Sequence, residues 1–171
     1  EVHWLIMSTI SENLGYSKEK IIKRQEEIIS VSTTYEFNSY YQARFEATTL
    51  DSIPKKELVN EVSLMMEKVE PNIIYIPFRY DIHSDHKVVF DSIASCTKSF
   101  RYPFLRSVRA YETISETEFS IHPEISHKSI FKPNFWVDIS RFLEKKIQIM
   151  SIYEGELADQ PFPRSEENIK A

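Results

Sequence analysis

The sequence predicts an α/β fold, a three-layer sandwich around a mostly parallel sheet. Three observations carry that prediction. Apolar, β-rich segments alternate with amphipathic segments of similar length. No repeats, low-complexity tracts or internal linkers interrupt them. The polar string "YDIHSDH" at residues 80–86 follows directly on the apolar run "NIIYIPF", and in open parallel sheets ligands bind beyond the carboxyl ends of strands.

The elements follow in order. Residues 2–9 are apolar and β-rich, which suits a strand buried on both faces. Residues 17–32 carry Ile21, Ile22, Ile28 and Ile29 on one broad helical face, with Lys and Glu opposite. Residues 35–37 read as a short strand, and residues 38–50, without a clear period, as a loop. In "DSIPKKELVNEVSLMMEKVEP", Leu58, Val62, Met65, Met66 and Val69 repeat at helical spacing. Asp51 or Ser52 can cap that helix, Pro54 fits its first turn and Pro71 ends it. "NIIYIPF" is a short buried strand. Residues 86–99 form the next helix, with Val89, Ile93 and Cys96 inward. "SVRAYE" and "NFWVDI" read as strands. Residues 140–157 read as one helix, with Leu143, Ile147, Met150, Tyr153 and Leu157 on a single stripe.

Composition narrows the class. The 171 residues fit a single domain spanning 1–171, and 42% hydrophobic and 13% aromatic residues suffice for a packed core. A net charge of −5 with interspersed signs excludes a nucleic-acid backbone binder. Two glycines exclude both common Gly-rich phosphate loops. No apolar run reaches the ~18 residues of a membrane span. With Cys96 as its one cysteine the chain has no internal disulfide, in keeping with a reducing, cytoplasmic setting. It opens without Met on a strand-like segment and closes on "RSEENIKA", the start of a helix, so both ends are expected to be cut from something longer.

The string at 80–86 is where chemistry concentrates. Imidazole nitrogens and carboxylate oxygens suit zinc or another divalent metal. His86 would open the following helix, His83 would face the same cleft, and Asp85 would hold an imidazole in one tautomer. The plainer reading makes Asp81, Ser84 and Asp85 turn residues and a helix cap. Two ligands also fall short of the three that a catalytic zinc usually takes from protein.

"DIHSDHKVVFDSIA" resembles the second signature of the LmbE-like, or PIG-L, de-N-acetylase family. "EVHWLIMST", "TTLDSIPKKELVNEV", "RAYETISETEF", "FKPNFWVDIS" and "PFPRSEENIKA" resemble other family segments in the same order. The resemblance implies a Rossmann-like α/β sheet and a divalent metal, usually Zn2+, that serves hydrolysis of an N-acetyl group from an amino sugar. It implies His86 as a metal ligand, His83 beside the substrate carbonyl as a cationic oxyanion stabiliser or acid, and Asp85 as the acid orienting an imidazole. Asp51 is implied as a substrate-cleft residue, competing with its reading as a cap; Arg79 adjoins the signature and could contact a phosphate or sugar hydroxyl.

The chain departs from the family in one respect. It has no His-Pro-Asp-Asp run, the first motif, which supplies two metal ligands and the general base. The family's first strand and helix are therefore expected to be missing, the metal site to be incomplete here, and catalysis to belong to the intact parent protein. The partner is expected to be a small amino-sugar substrate, and self-association is expected at an uncovered sheet edge beside "VHWLIMST". A non-catalytic α/β binding or structural module without metal is the alternative, and an amidase of a thiol conjugate is a variant within the enzyme class. Arg44 could make the same contact as Arg79, with surface solvation the default for both; Arg164 reads as a packing or capping element, His3, His122 and His127 as structural or solvated, and Glu112 as a structural hydrogen-bonding residue.

Overall fold

The computed structural model describes residues 1–119 and 130–171. The architecture is mixed α/β with parallel strand pairs, compatible with a Rossmann-like fold. The chain divides into two compact units: Glu1–Trp4, Ile10–Tyr41 and Lys132–Ala171 make one, and Leu5–Thr9 with Gln42–Phe131 make the other.

The strand β1 (His3–Thr9) is hydrogen-bonded to β2 (Ser39–Glu46). The Asn38 amide donates to the Val2 carbonyl at 2.8 Å at one end and the Ala47 amide to the Thr9 carbonyl at 2.9 Å at the other, so the two strands run parallel. The sequence reading of residues 38–50 as a loop is corrected here. Tyr41, Ala43 and Phe45 alternate with Gln42 and Arg44, a weak period-two signal that becomes a strand once β1 supplies its hydrogen bonds.

In the first unit, α1 (Lys18–Thr34) starts at Ser17, whose hydroxyl accepts from the Lys20 amide at 3.3 Å. It buries Glu27, Ile28, Val31 and Ser32. The predicted helix over 140–157 is shorter: a one-turn 3-10 helix at Ser140–Phe142 leads into α4 (Leu143–Met150). Beyond it the backbone is claimed by side chains. The Glu154 amide donates to Glu27 Oε1 at 3.1 Å and Arg164 Nε donates to the Glu156 carbonyl at 3.0 Å. Arg24 joins Glu27 and Glu156, each at 3.3 Å, and lies over the Tyr153 ring, whose hydroxyl is pushed up to about 12, chiefly by burial. This network buries Glu27 with its charge paired, and it gives Arg164 the packing role expected of it. The last helix, α5 (Glu166–Lys170), is capped by Ser165. Residues 134–139, "NFWVDI", are not a strand. Neither strand pair is hydrogen-bonded to them, and Phe135, Trp136 and Val137 are exposed. β propensity alone does not make a strand.

The second unit holds the main core. Met7, Leu50, Leu58, Val62, Met66, Ile76, Ile93, Cys96 and Tyr102 form one buried cluster. Leu58, Val62 and Met66 come from α2 (Lys55–Val69), at the helical spacing the sequence shows. That helix ends where Glu70 turns left-handed at φ 48° and bonds back to the Met66 carbonyl, just before Pro71. Next, β3 (Ile73–Pro77) runs into α3 (Ser84–Ser95), which returns the chain to β4 (Ser107–Tyr111). β3 and β4 are parallel, in register from Ile73 opposite Ser107 to Pro77 opposite Tyr111. A parallel pair joined by a helix is the βαβ unit that the strand–loop–helix order predicts. No helix among the described residues is long and apolar enough to cross a membrane.

Two outcomes are expected of this arrangement. Leu58→Ala, at a site 2% exposed, should lower unfolding free energy by about 2–5 kcal/mol, read by urea denaturation. Among the described residues each strand has a single hydrogen-bonded neighbour, so open edges should drive concentration-dependent self-association. A single monomeric boundary in sedimentation velocity at all concentrations would contradict this.

Candidate active site

The site is built where the parallel pair ends. Register fixes Pro77 opposite Tyr111, so the chain leaving β3 and the chain leaving β4 emerge side by side. The loop after β3 carries Asp81 and His83; the segment after β4 carries Thr113 and Thr117. They are joined twice: the Ile82 amide donates to the Glu116 carbonyl at 3.1 Å, and the Thr117 hydroxyl to Asp81 Oδ1 at 2.7 Å.

His83 does not lie in an open loop. It is the N-cap of α3, which begins at Ser84 rather than His86, and its ring Nδ1 accepts from the Asp85 amide at 3.2 Å. His86 lies in the first turn, three residues on. Residues at that spacing share a helix face, and the two rings stack with centroids 5.0 Å apart and planes 20° from parallel. His83 and His86 are therefore brought together, as the motif predicts.

The carboxylate that holds an imidazole is Asp81. Its Oδ2 lies 2.7 Å from His86 Nδ1, and its side chain has 0% exposure against 25% for His86. The direction of each proton in this chain follows from the carboxylate at its centre. The Thr113 amide can only donate, and it donates to Thr117 Oγ1 at 2.8 Å. An ionised Asp81 can only accept, so the Thr117 hydroxyl donates to Oδ1 and His86 Nδ1–H donates to Oδ2. His86 thereby carries a proton on Nδ1, and in its neutral form the lone pair is on Nε2. His83 is the opposite case: Nδ1 accepts, so the ring is neutral and its proton sits on Nε2. With both rings neutral, the two stacked imidazoles offer one Nε2 donor and one Nε2 acceptor.

Asp85, expected to orient an imidazole, does something else with its side chain. It is buried, and its carboxylate accepts from the Thr48 amide at 2.7 Å and the Leu50 amide at 3.3 Å. Asp51 caps no helix; it is exposed in the one-turn 3-10 helix Leu50–Ser52 that follows those amides. Arg79 is committed to Asp91 through Nε at 2.7 Å and Nη2 at 3.3 Å, and Lys87 adds a third contact at 3.2 Å. Arg79 holds the Asp91 carboxyl below the usual range, and the same hydrogen bonds raise the guanidinium further. Arg44 and Glu112 are exposed, and His3 bonds Ser39 Oγ at 2.6 Å. His122 and His127 lie outside the described residues.

Asp81 and Thr117 are the residues that sequence reasoning passed over. Asp81 looked like a turn residue, and the spacing of five from His86 matches no familiar ligand motif. Thr117 had no signal beyond its place in "YETISETEF". Among the described residues no group of three His, Cys, Asp or Glu is placed to hold a metal ion. One residue of the set, His86, has the tautomer a metal ligand needs, but the described residues do not complete a metal site.

A family model described as PIG-L, GlcNAc-PI de-N-acetylase, matches residues 1–97. That range contains β1 to α3 and the whole signature loop; the resemblances at 107–119 and beyond lie outside it.

The Arg79–Asp91 pair gives a pH test. Asp91 is depressed in the folded state, so its contribution is present above the unfolded pKa of about 4 and is lost as pH falls through the lower folded value. Asp91→Asn should destabilise at pH 7 and make little difference at pH 2, by urea denaturation at both. An equal loss at both pH values would mean that packing, not charge, is what Asp91 supplies.

Proposed function

Because the chain belongs to the PIG-L family, whose model matches more than half of it, we propose that its site serves hydrolysis of an N-acetyl group from an amino sugar or sugar conjugate. The single observation that supports this best is the pair of stacked imidazoles with opposite Nε2 character, set by Asp81 and by the α3 amide of Asp85. An amide in hydrolysis develops negative charge on its oxygen, and a positioned N–H donor stabilises it. His83 supplies that donor through Nε2–H. His86 supplies a lone pair on Nε2 and is assigned as one metal ligand, with Asp81 behind it. A divalent metal such as Zn2+, when bound, would polarise the amide and acidify water.

The activity is assigned to the intact protein, and residues 1–171 are read as belonging to one de-N-acetylase domain. Asp85 is retained as a residue of the signature whose carboxylate binds the Thr48 and Leu50 amides beside the site. Asp51, the exposed carboxylate of the neighbouring turn, is assigned to substrate hydroxyls. Arg79 is assigned a lesser part, since its guanidinium already serves Asp91. A small amino-sugar partner and a cytoplasmic setting belong to the same reading.

The test compares metal content and acetate release in His86→Ala and His83→Ala, with an N-acetylglucosamine conjugate as substrate. His86→Ala should lose metal and activity together. His83→Ala should keep its metal and lose rate by about 10²–10⁴. Metal lost from His83→Ala but kept by His86→Ala would reverse the two assignments. Acetate release unchanged in both would remove the de-N-acetylase reading.

A further inference from the structure

We propose that Asp85 is a positioning residue for sugar recognition, acting through the turn at residues 48–52 and not through either histidine. The inference rests on the reading of Asp51 as a substrate residue and adds how that carboxylate is held.

Three observations carry it. Asp85 is 4% exposed, and its two oxygens are divided between two backbone amides, Oδ2 to Thr48 at 2.7 Å and Oδ1 to Leu50 at 3.3 Å. A buried carboxylate is retained only where its charge is satisfied, and here one turn of backbone satisfies it. Thr48, the closer donor, has φ 64°, a left-handed conformation that costs a β-branched residue energy and persists only where the surroundings over-determine it. The clamp supplies that constraint. Last, the turn's own hydroxyls face back to its chain: Thr48 Oγ1 donates to the Ala47 carbonyl, Thr49 Oγ1 to that of Glu46 and Ser52 Oγ to that of Thr49. Leu50 is fully buried. Thr48 and Ser52 are exposed but spend their hydroxyl protons on backbone carbonyls, and Asp51 is the charged group this turn exposes.

The geometry therefore ties two functions to one short stretch of α3. His83 and His86 share one face of its start, while Asp85, between them in sequence, holds the turn that carries Asp51. An ionised carboxylate accepts from two neighbouring hydroxyls of a hexose, so on the proposed de-N-acetylase reading Asp51 would hold the amino sugar through its ring hydroxyls rather than through its acetyl group.

The experiment measures amide hydrogen exchange at Thr48 and Leu50 by NMR, N-acetylglucosamine affinity by titration, and metal content, in Asp85→Ala and Asp85→Asn. Where the intact protein releases acetate, KM and kcat are measured as well. Asp85→Ala should speed exchange at both amides, weaken the sugar about tenfold, raise KM by a similar factor and leave kcat and metal content near normal. Asp85→Asn keeps one acceptor oxygen and should fall between wild type and Asp85→Ala, which also covers the case in which the alanine variant fails to fold. Asp51→Ala placed on Asp85→Asn should add little to the loss. Faster exchange with unchanged sugar affinity would overturn the proposal, leaving Asp85 a merely structural clamp. Lowered kcat or metal with KM unchanged would also overturn it, placing Asp85 behind the imidazoles. If the wild-type protein binds the sugar but releases no acetate, the proposed activity fails while the exchange and titration results still decide the role of Asp85.

Discussion

A carboxylate with no exposed surface organises the signature loop. Asp81 accepts from His86 on one oxygen and from Thr117 on the other, and its burial makes both bonds obligatory. An uncompensated buried charge costs several kcal/mol, so α3, the loop after β3 and the segment after β4 are held in one arrangement. The parallel register makes this contact available at all. With Pro77 opposite Tyr111, two chain segments distant in sequence leave the sheet as neighbours, and a residue four past one strand meets a residue six past the other. The backbone amide of Thr113, at the far end, donates to the Thr117 hydroxyl and holds it in line with the carboxylate.

The division of labour between Asp81 and Asp85 follows from where α3 starts. Reading residues 80–86 as a loop leaves Asp85 free to turn toward either ring. Once the helix begins at Ser84 with His83 as its cap, successive side chains rotate by about 100° per residue. His83 and His86 then fall on one side and stack. Asp85, two residues from His83 and one from His86, is carried to another side, where the amides of Thr48 and Leu50 meet it. A helix begun at His86 leaves Asp85 within reach of an imidazole; begun at Ser84, it leaves Asp81 as the carboxylate that meets His86.

The same contrast runs through the fold. α1, α2, β1, β3, α3 and β4 were legible because each is marked locally, by a helical stripe, an apolar run, a cap or a proline. What failed depended on partners. β2 carries Arg44, Gln42 and Glu46 among its aromatics and becomes a strand through β1. "NFWVDI" has every local mark of a strand but no pairing from either strand pair. The stripe through Tyr153 and Leu157 promises more helix than α4 delivers, because Glu27 and Arg164 take the backbone groups that further turns would need. Local pattern sets propensity; the hydrogen-bond partner, invisible in a single sequence, decides where it is realised.

The site inherits both kinds of information. The two histidines announce themselves by spacing, and helix geometry alone brings them face to face. Their tautomers, on which any chemistry depends, are set by groups the motif does not contain or whose part in it was misread: a carboxylate just upstream, a threonine from the next strand's exit, and a backbone amide. His83 and His86 are identical side chains given opposite Nε2 roles by what their Nδ1 atoms meet. For hydrolysis of an amide, that asymmetry matters more than the presence of two imidazoles. A developing oxyanion needs a proton donor and a Lewis-acidic ion needs a lone pair, and two rings with the same tautomer would provide only one of these.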